Sequence, residues 1–455
     1  MIEPSIPFRI AAPPTSCALL ALFALFAAIA GCDAAGRASS DATVRDSAGV
    51  EFVENPSVGV GGGSPAAVEE VVRIGVVEGD DRLQFFRILS LDVAPDGTIA
   101  VGNDQTGSVR VFTADGEFLR EFGSRGEGPG EYIMINAVRA VGDRVVVTDW
   151  QGGGRTGVYD DRGELVEFWP HPLTGGRSIS PRALTPHGWI AVESSGALPQ
   201  RLAPGEAWEY QAAFVRFEED SGTVTDTVFR PPPRVLYGGR AGSLELPLFD
   251  APVAIDFDAG GNLYLSRGEP YRIEVYEFAT DGGGQGSSGA YRLARVITRE
   301  IEPVPFTGAD IEQLKALVED RFDTLTSLPL ERRMAYRDRL LDRIENQRRH
   351  GLHSPFLPPL RRLFVSPDGS FWVERADMVS PAELHYAEMF GGIENEQRRP
   401  TRWDLFDRDG RFITTVDLVE PRFSPHAVHG LEMTGVLKGE MDVEYVVTYR
   451  VVRSG

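Results

Sequence analysis

Cysteine is almost absent from this chain of 455 residues, which contains only Cys17 and Cys32. A framework of several disulfide bonds is therefore excluded. Basic residues are also scarce, since 46 Lys and Arg stand against 67 Asp and Glu and give a formal net charge of −21. Because phosphate backbones are bound by basic surfaces, this balance argues against a nucleic-acid partner and favours cationic or sugar-like ligands.

Long hydrophobic runs are missing as well. The apolar run at residues 18–30 holds 13 residues, too few for a permanent helix across a bilayer core of about 30 Å. Its length is typical of a signal peptide, and Ile29-Ala-Gly-Cys32 resembles the bacterial lipobox. We therefore expect a lipoprotein signal peptide at 1–31, lipidation of Cys32 and a flexible tether at 32–43. The alternative is ordinary cleavage near Ala30 with an incidental cysteine.

These features predict a protein of the cell envelope, anchored to the membrane by an N-terminal lipid and facing the periplasm or the exterior. The sequence does not distinguish between the inner and the outer membrane.

Catalytic motifs are equally hard to find. The sequence contains no Gly-x-Ser-x-Gly string and no assignable Ser/His/Asp set. The glycine-rich segment Gly126–Glu131 lacks the lysine and the following helix of a phosphate-binding loop. His350 and His353, like His426 and His429, have a spacing that suits a metal, but neither pair has a matched acidic or cysteine partner.

The chain does contain a repeated hairpin, in which an apolar stretch enters a tight turn and leaves as a second apolar stretch. It occurs six times, at Val93–Val101, Ala140–Val147, Leu184–Val192, Phe257–Leu265, Val365–Val373 and Val436–Val443. A second type of hairpin lies between these, at Val111–Leu119, Val158–Val166, Val215–Val224, Val275–Tyr291 and Leu405–Ile413. Two alternating hairpins give four strands per unit, so the sequence predicts an all-β, six-bladed β-propeller at residues 44–455.

The sixth unit ends at Tyr445–Val452 without a fourth strand. We expect the segment Val68–Gly75 to supply that strand, with the pairing near Glu70 to Ile74, because a closed ring removes an open sheet edge. The segment Val44–Val53 also has the pattern of a hairpin, but the sequence does not fix its place in the fold.

Helical spacing replaces the strand pattern at about 307–350, which predicts a helical hairpin inserted in the propeller. The second predicted helix bears seven arginines: Arg332, Arg333, Arg337, Arg339, Arg343, Arg348 and Arg349. Ion pairing on a solvated face is the favoured interpretation. The alternative is a cationic surface for anionic lipid or for an acidic partner.

Long and varied loops should share one rim of a propeller, and binding residues tend to lie on such loops. The predicted binding residues are Arg125, Glu131, Asp149, Trp150, Arg155, Arg267, Glu374, Arg375 and His426. For the segment Gly126–Glu131 the favoured interpretation is a tight crossover, with Glu131 pairing with Arg125 or with a neighbouring blade. The alternative is a close approach of a ligand to the backbone.

Four strings carry a family resemblance: the Val-x-Pro-Asp-Gly hairpins, Arg110–Gly116, Phe122–Glu131 and Asp442–Arg450. They are similar to those of exported bacterial six-bladed propellers related to NHL-repeat proteins, over roughly residues 45–455. The resemblance implies the fold and leaves the activity open, because propellers include both binding proteins and enzymes.

Two functions compete. A scaffold that binds a ligand, an envelope protein or a glycan is favoured over an enzyme, and it needs no cofactor. The alternative is a calcium-dependent hydrolase of the lactonase type, whose relatives hold the metal in the central channel through Asn, Asp and Glu. Asn103, Asn136 and Asp149 would be the metal ligands if they point inward.

Overall fold

Six antiparallel sheets follow one another along the chain and form the blades of a propeller. The computed structural model describes the following residues: 42–56, 64–149, 154–170, 178–185, 188–195, 202–217, 224–231, 233–239, 244–248, 253–268, 270–280, 289–324, 329–390, 400–420 and 422–452. The predicted signal peptide, Cys32 and Trp150 lie outside the described residues.

The strands run through the blades in chain order. The first three precede blade 1: β1 (Thr43–Ser47), β2 (Val50–Asn55) and β3 (Val68–Ile74). Blade 1 comprises β4 (Ile88–Val93), β5 (Ile99–Asn103), β6 (Ser108–Phe112) and β7 (Phe118–Phe122), and its crossover to blade 2 contains β8 (Ser124–Arg125) and β9 (Glu131–Tyr132). Blade 2 comprises β10 (Ile135–Val141), β11 (Arg144–Asp149), β12 (Arg155–Tyr159) and β13 (Leu165–Pro170).

Blade 3 is extended by two short strands: it comprises β14 (Ser178–Thr185), β15 (Gly188–Ser195), β16 (Ala207–Phe217), β17 (Val224–Phe229), β18 (Arg234–Gly238) and β19 (Leu244–Glu245). Blade 4 comprises β20 (Ala254–Phe257), β21 (Leu263–Ser266), β22 (Arg272–Thr280) and β23 (Gly289–Arg299). Blade 5 comprises β24 (Leu360–Val365), β25 (Phe371–Arg375), β26 (Thr401–Phe406) and β27 (Phe412–Leu418). Blade 6 comprises β28 (Phe423–His429), β29 (Glu432–Lys438) and β30 (Glu444–Val451).

The repeated Pro-Asp-Gly turns fix the first hairpin of blades 1 and 5. In blade 1 Asp96 Oδ1 accepts a hydrogen bond of 2.9 Å from the Thr98 N–H, and Gly97 has a φ of 86°. Gly369 takes the same left-handed conformation in blade 5, with a φ of 84°. A side chain is strained there, which is why the turn needs glycine.

The predicted closure of the ring is confirmed. Strand β3 pairs with β30 in antiparallel fashion, and Glu70 lies opposite Tyr449 while Ile74 lies opposite Val446. The buried Ile74 packs in the same apolar cluster as Val446 and Leu91. The N-terminal strand therefore completes blade 6 and joins its core to that of blade 1.

The hairpin at Val44–Val53 belongs to a different blade. Strand β2 pairs in parallel with β23 of blade 4, where Phe52 lies opposite Val296. Its last residue, Asn55, then reaches blade 5: its amide donates to the Gly410 carbonyl at 2.9 Å and its Oδ1 accepts from the Phe412 N–H at 2.8 Å. The described parts of residues 43–74, called the N-terminal strap below, thus contact blades 4, 5 and 6 in turn.

Three helices lie between strands of the described chain: α1 (Gly308–Thr324), α2 (Leu330–His350) and α3 (Pro381–Phe390). The first two correspond to the predicted insertion, and α3 was not predicted. Asp310 Oδ2 accepts hydrogen bonds from the Thr307 N–H at 2.8 Å and from its hydroxyl at 2.6 Å, which caps the start of α1. Within the described residues no helix is both long and apolar enough to span a membrane.

The three helices share one apolar cluster. Leu314 and Val318 of α1 are buried with Ile344 of α2 and Leu384 of α3. Leu330, the first residue of α2, is 63% exposed.

Candidate binding site in the central channel

A cavity of about 290 Å³ lies where inner strands of five blades meet. Residues of β4, β10, β20, β24 and β28 line it, together with turns that follow inner strands, such as those at Pro95, Gly142 and Pro367. It therefore opens at the rim of the short turns, opposite the rim of long loops that the sequence favours. Its ionisable lining residues are Asp92, Arg139, Asp256, Asp258 and His426.

Asp92 and Asp256 occupy the same position in the repeat, next to the last residue of β4 and β20. Asp92 Oδ1 accepts from the Val93 N–H at 3.0 Å and Oδ2 accepts from the Ala140 N–H of blade 2 at 2.9 Å. Asp256 makes the same pair of bonds, with the Phe257 N–H at 3.0 Å and with the Val365 N–H of blade 5 at 2.9 Å.

Each of these carboxylates is thus fixed between two blades by one N–H on each oxygen. An ionised carboxylate has about four acceptor positions, so each has capacity for a further donor. Both side chains are half-buried rather than sealed from the cavity.

Burial raises the pKa values of both aspartates. It raises the pKa of Asp92 above the ordinary value, against the opposing influence of the Arg139 guanidinium and of the two N–H donors. Burial likewise raises the pKa of Asp256 to about 6; Arg139 and the N–H donors oppose the shift, and the charge of Asp92 adds to it. The charge of the cavity therefore changes close to neutral pH.

Asp92, Arg139 and Asp256 were not among the predicted binding residues. No local motif surrounds them, because each is the single charged residue of its strand. The signal is in the repeat: aligning the first hairpins of blades 1 and 4 places Asp92 and Asp256 in one column. His426 is the predicted binding residue that the structure brings to this cavity.

Several predicted residues instead link strands within a blade. Asp149 is fully buried, accepts from the Ile133 N–H at 2.7 Å and lies 3.8 Å from Arg155 Nε. Buried Glu374 pairs with Arg362 of the adjacent strand.

Arg375 pairs with Asp377. The more exposed Arg267 contacts Glu274 at 3.3 Å. Binding by any of these residues stays a prediction.

Glu131 has a local role that differs from the expected pairing with Arg125 or with another blade. Its Oε2 accepts from the Gly128 N–H at 2.8 Å, so the carboxylate holds its own loop together. A Cβ added at Gly126 would lie 2.1 Å from the same oxygen. A side chain at position 126 would therefore displace the Glu131 carboxylate, which supports the interpretation of this segment as a tight crossover.

The residues proposed for calcium lie in blades 1 and 2. Asn103 is buried at the end of β5, and its Oδ1 accepts from the Phe86 N–H at 3.0 Å. Asp149 ends β11, and Asn136 is on β10. Across the described ranges, no group of three or more His, Cys, Asp and Glu side chains is placed to hold a metal ion.

The arginines of α2 are largely engaged with their surroundings. Glu345 forms ion pairs with Arg348 at 2.5 Å, with Lys315 of α1 at 3.2 Å and with Arg349 at 3.8 Å. Arg337 contacts Asp338 at 2.8 Å. These pairs favour a solvated, ion-paired helix over a free cationic surface.

Comparisons with known proteins agree with the fold. The DUF5128 family model, described as a 6-bladed beta-propeller, matches residues 77–152. No curated protein matches the sequence.

Three solved structures illustrate the likeness. A candidate exported protein from Bacteroides fragilis has 10% identity and a TM-score of 0.45, with 88% of this chain and 100% of that chain covered. A DUF4221 member from Bacteroides vulgatus has 10% identity and a TM-score of 0.43, covering 86% and 100%. Virginiamycin B lyase from Staphylococcus aureus has 7% identity and a TM-score of 0.35, covering 85% and 99%. Likenesses this low carry no inference about activity.

Proposed function

We propose that this six-bladed propeller is an extracytoplasmic, lipid-anchored binding protein whose ligand occupies the channel cavity. One observation carries the proposal: Asp92, Arg139, Asp256 and His426 come from four different blades and line one cavity at the axis of the ring. A concave site with a few fixed polar groups among apolar walls is the usual form of a small-molecule site. Val93, Phe257 and Phe364 are among its apolar lining residues.

The charges of the cavity indicate the class of ligand. Three aspartates and one arginine line the cavity, so the formal negative charge of Asp92, Asp256 and Asp258 exceeds the positive charge of Arg139 by two. The site therefore suits a ligand rich in donors, such as a sugar that carries an amine. The formal net charge of −21 over the whole chain also favours a cationic ligand.

A pH titration tests this assignment. Asp256 is ionised above a pKa of about 6 and protonated below it, so a cationic ligand loses a partner as the pH falls. We expect the affinity for glucosamine, measured by calorimetry, to weaken by up to about tenfold from pH 7 to pH 5. Glucose, which has no charge, should show no such dependence.

Asp256→Asn removes the carboxyl group whose pKa is about 6 and should reduce the pH dependence, leaving the part that is due to Asp92, whose pKa is also raised. Asp409→Asn, in a turn of blade 5 away from the cavity, is the matched control, and a melting curve of each variant verifies folding. Equal affinity of glucosamine for the wild type and Asp256→Asn at pH 7 would overturn the proposal, as would failure of both sugars to bind.

The membrane anchor has a separate test. Metabolic labelling with a fatty-acid analogue should mark the wild type and leave Cys32→Ser unlabelled, because the thiol of Cys32 is the expected site of acylation. The variant should also leave the membrane fraction on extraction with salt. Equal labelling of the two proteins would contradict lipidation at Cys32.

A further inference from the structure

Three polar side chains hold the loop at residues 82–88 in place through hydrogen bonds to its backbone. Arg110 Nη1 donates to the Arg82 carbonyl at 3.2 Å and to the Gln84 carbonyl at 2.6 Å. Asn103 Oδ1 accepts from the Phe86 N–H, and Glu444 Oε2 accepts from the Ile88 N–H at 2.5 Å. Arg110, Asn103 and Glu444 are all buried, so the loop has a fixed shape.

This fixed loop directs an aromatic ring and an arginine outward. Phe86 is 50% exposed, which is unusual for a phenylalanine on a rigid segment. Arg87 has a φ of 59°, a left-handed conformation that long side chains rarely adopt and that is common at ligand sites. Its Nε lies 2.7 Å from Oδ2 of Asp104, and Asp104 is itself 1% exposed and bound through Oδ1 to the Ile135 N–H.

A second arginine completes an open groove at this place. Phe86, Arg87, Asp104, Gln105 and Arg125 line a volume of about 460 Å³. Arg125 is exposed and uses only Nη1, which donates to the carbonyls of Asp104 at 3.3 Å and Ile133 at 3.4 Å. Within the described residues its Nε and Nη2 make no hydrogen bond. The groove lies on the rim of the long loops, opposite the channel cavity.

We propose that this groove binds an oxyanion, a carboxylate or a phosphate, attached to a flat apolar group. Arg87 and Arg125 supply two guanidinium groups against one buried carboxylate, so one positive charge is left for the ligand. Guanidinium groups bind both oxyanions through paired N–H donors. The exposed ring of Phe86 covers the flat apolar part, and Asp104 orients Arg87 beside it.

Aromatic probes test the groove directly. Benzoate and phenyl phosphate should bind to the full-length protein, detected by saturation-transfer NMR and quantified by titration, whereas benzylamine should not. Arg125→Ala should weaken both oxyanions at least tenfold. Phe86→Ala should weaken benzoate severalfold and leave acetate, which has no ring, unchanged. The preferred probe distinguishes a carboxylate site from a phosphate site.

Two controls keep the result specific. Arg332→Ala removes an exposed arginine from α2, and Asp256→Asn alters the channel cavity on the other rim; neither should change benzoate binding. Equal weakening by Arg332→Ala would show adsorption to any arginine and overturn the proposal. Failure of both oxyanions to bind a folded wild type would also overturn it, without bearing on the channel site.

Discussion

Replacing Asp404 by alanine is expected to lower the free energy of unfolding by about 3–5 kcal/mol, the usual cost of leaving a buried charge without its partner. Asp404 is fully buried, and so is Arg299, with which it pairs. It also accepts hydrogen bonds from the Tyr271 hydroxyl at 2.9 Å and the Thr415 hydroxyl at 2.8 Å. Arg299 comes from blade 4 and Asp404 from blade 5, so the variant weakens the contact between two blades.

Urea denaturation followed by circular dichroism measures the effect. Asp409→Ala, in the exposed turn after β26, is the matched control and should change stability by no more than about 0.5 kcal/mol. The double variant Arg299→Met with Asp404→Leu should recover part of the loss, because it removes both charges. A loss below about 1 kcal/mol for Asp404→Ala would show that water or another group compensates Arg299.

Removing residues 440–455 should abolish cooperative folding of the body. The deleted strand β30 lies between β29 and β3 in blade 6, so its loss leaves β3 without a partner and exposes one edge of β29. Val446 and Val447 of β30 are fully buried and belong to two different apolar clusters. We expect loss of the melting transition and aggregation of the purified fragment, followed by calorimetry and light scattering.

Removal of residues 42–55 serves as the comparison. It takes away β1 and β2, which lie at the outer edge of blade 4, together with the buried Val53. This shorter chain should melt at a lower temperature but still cooperatively. Cooperative melting of the chain without residues 440–455 near the temperature of the wild type would mean that blade 6 is not needed to close the ring.

The blades were predictable because similar turn residues recur in successive hairpins along the chain. Asp96 and Gly97 fix a hairpin through contacts within five residues, and Asp368 and Gly369 do so again in blade 5. Closure by β3 followed from counting the strands of the last unit. The place of β2 was not predictable, because its partner β23 is some 240 residues away. Besides backbone pairing, the two strands share the ion pair between Glu51 and Arg295, and no local pattern in the sequence indicates that pair.

The candidate sites were harder to predict than the fold. Asp92, Arg139 and Asp256 each come from a separate blade, and only the ring brings them to one cavity. Charged residues that looked available for ligands, such as Arg155 and Glu374, turn out to pair with neighbouring strands. An isolated sequence position does not show which way its strand faces in the sheet. Arg125 was predicted, but its neighbours Phe86 and Arg87 were not.

The strap also fixes the order in which the protein is able to fold. Strand β3 is synthesised well before its partner β30, which begins some 370 residues further along the chain. Until residues 444–451 arrive, the seven residues of β3 form an unpaired strand, a state that readily pairs with other chains. Contacts so distant in sequence are slow to form. Each newly made molecule is therefore prone to aggregation through β3 until β30 has been synthesised and has paired with it.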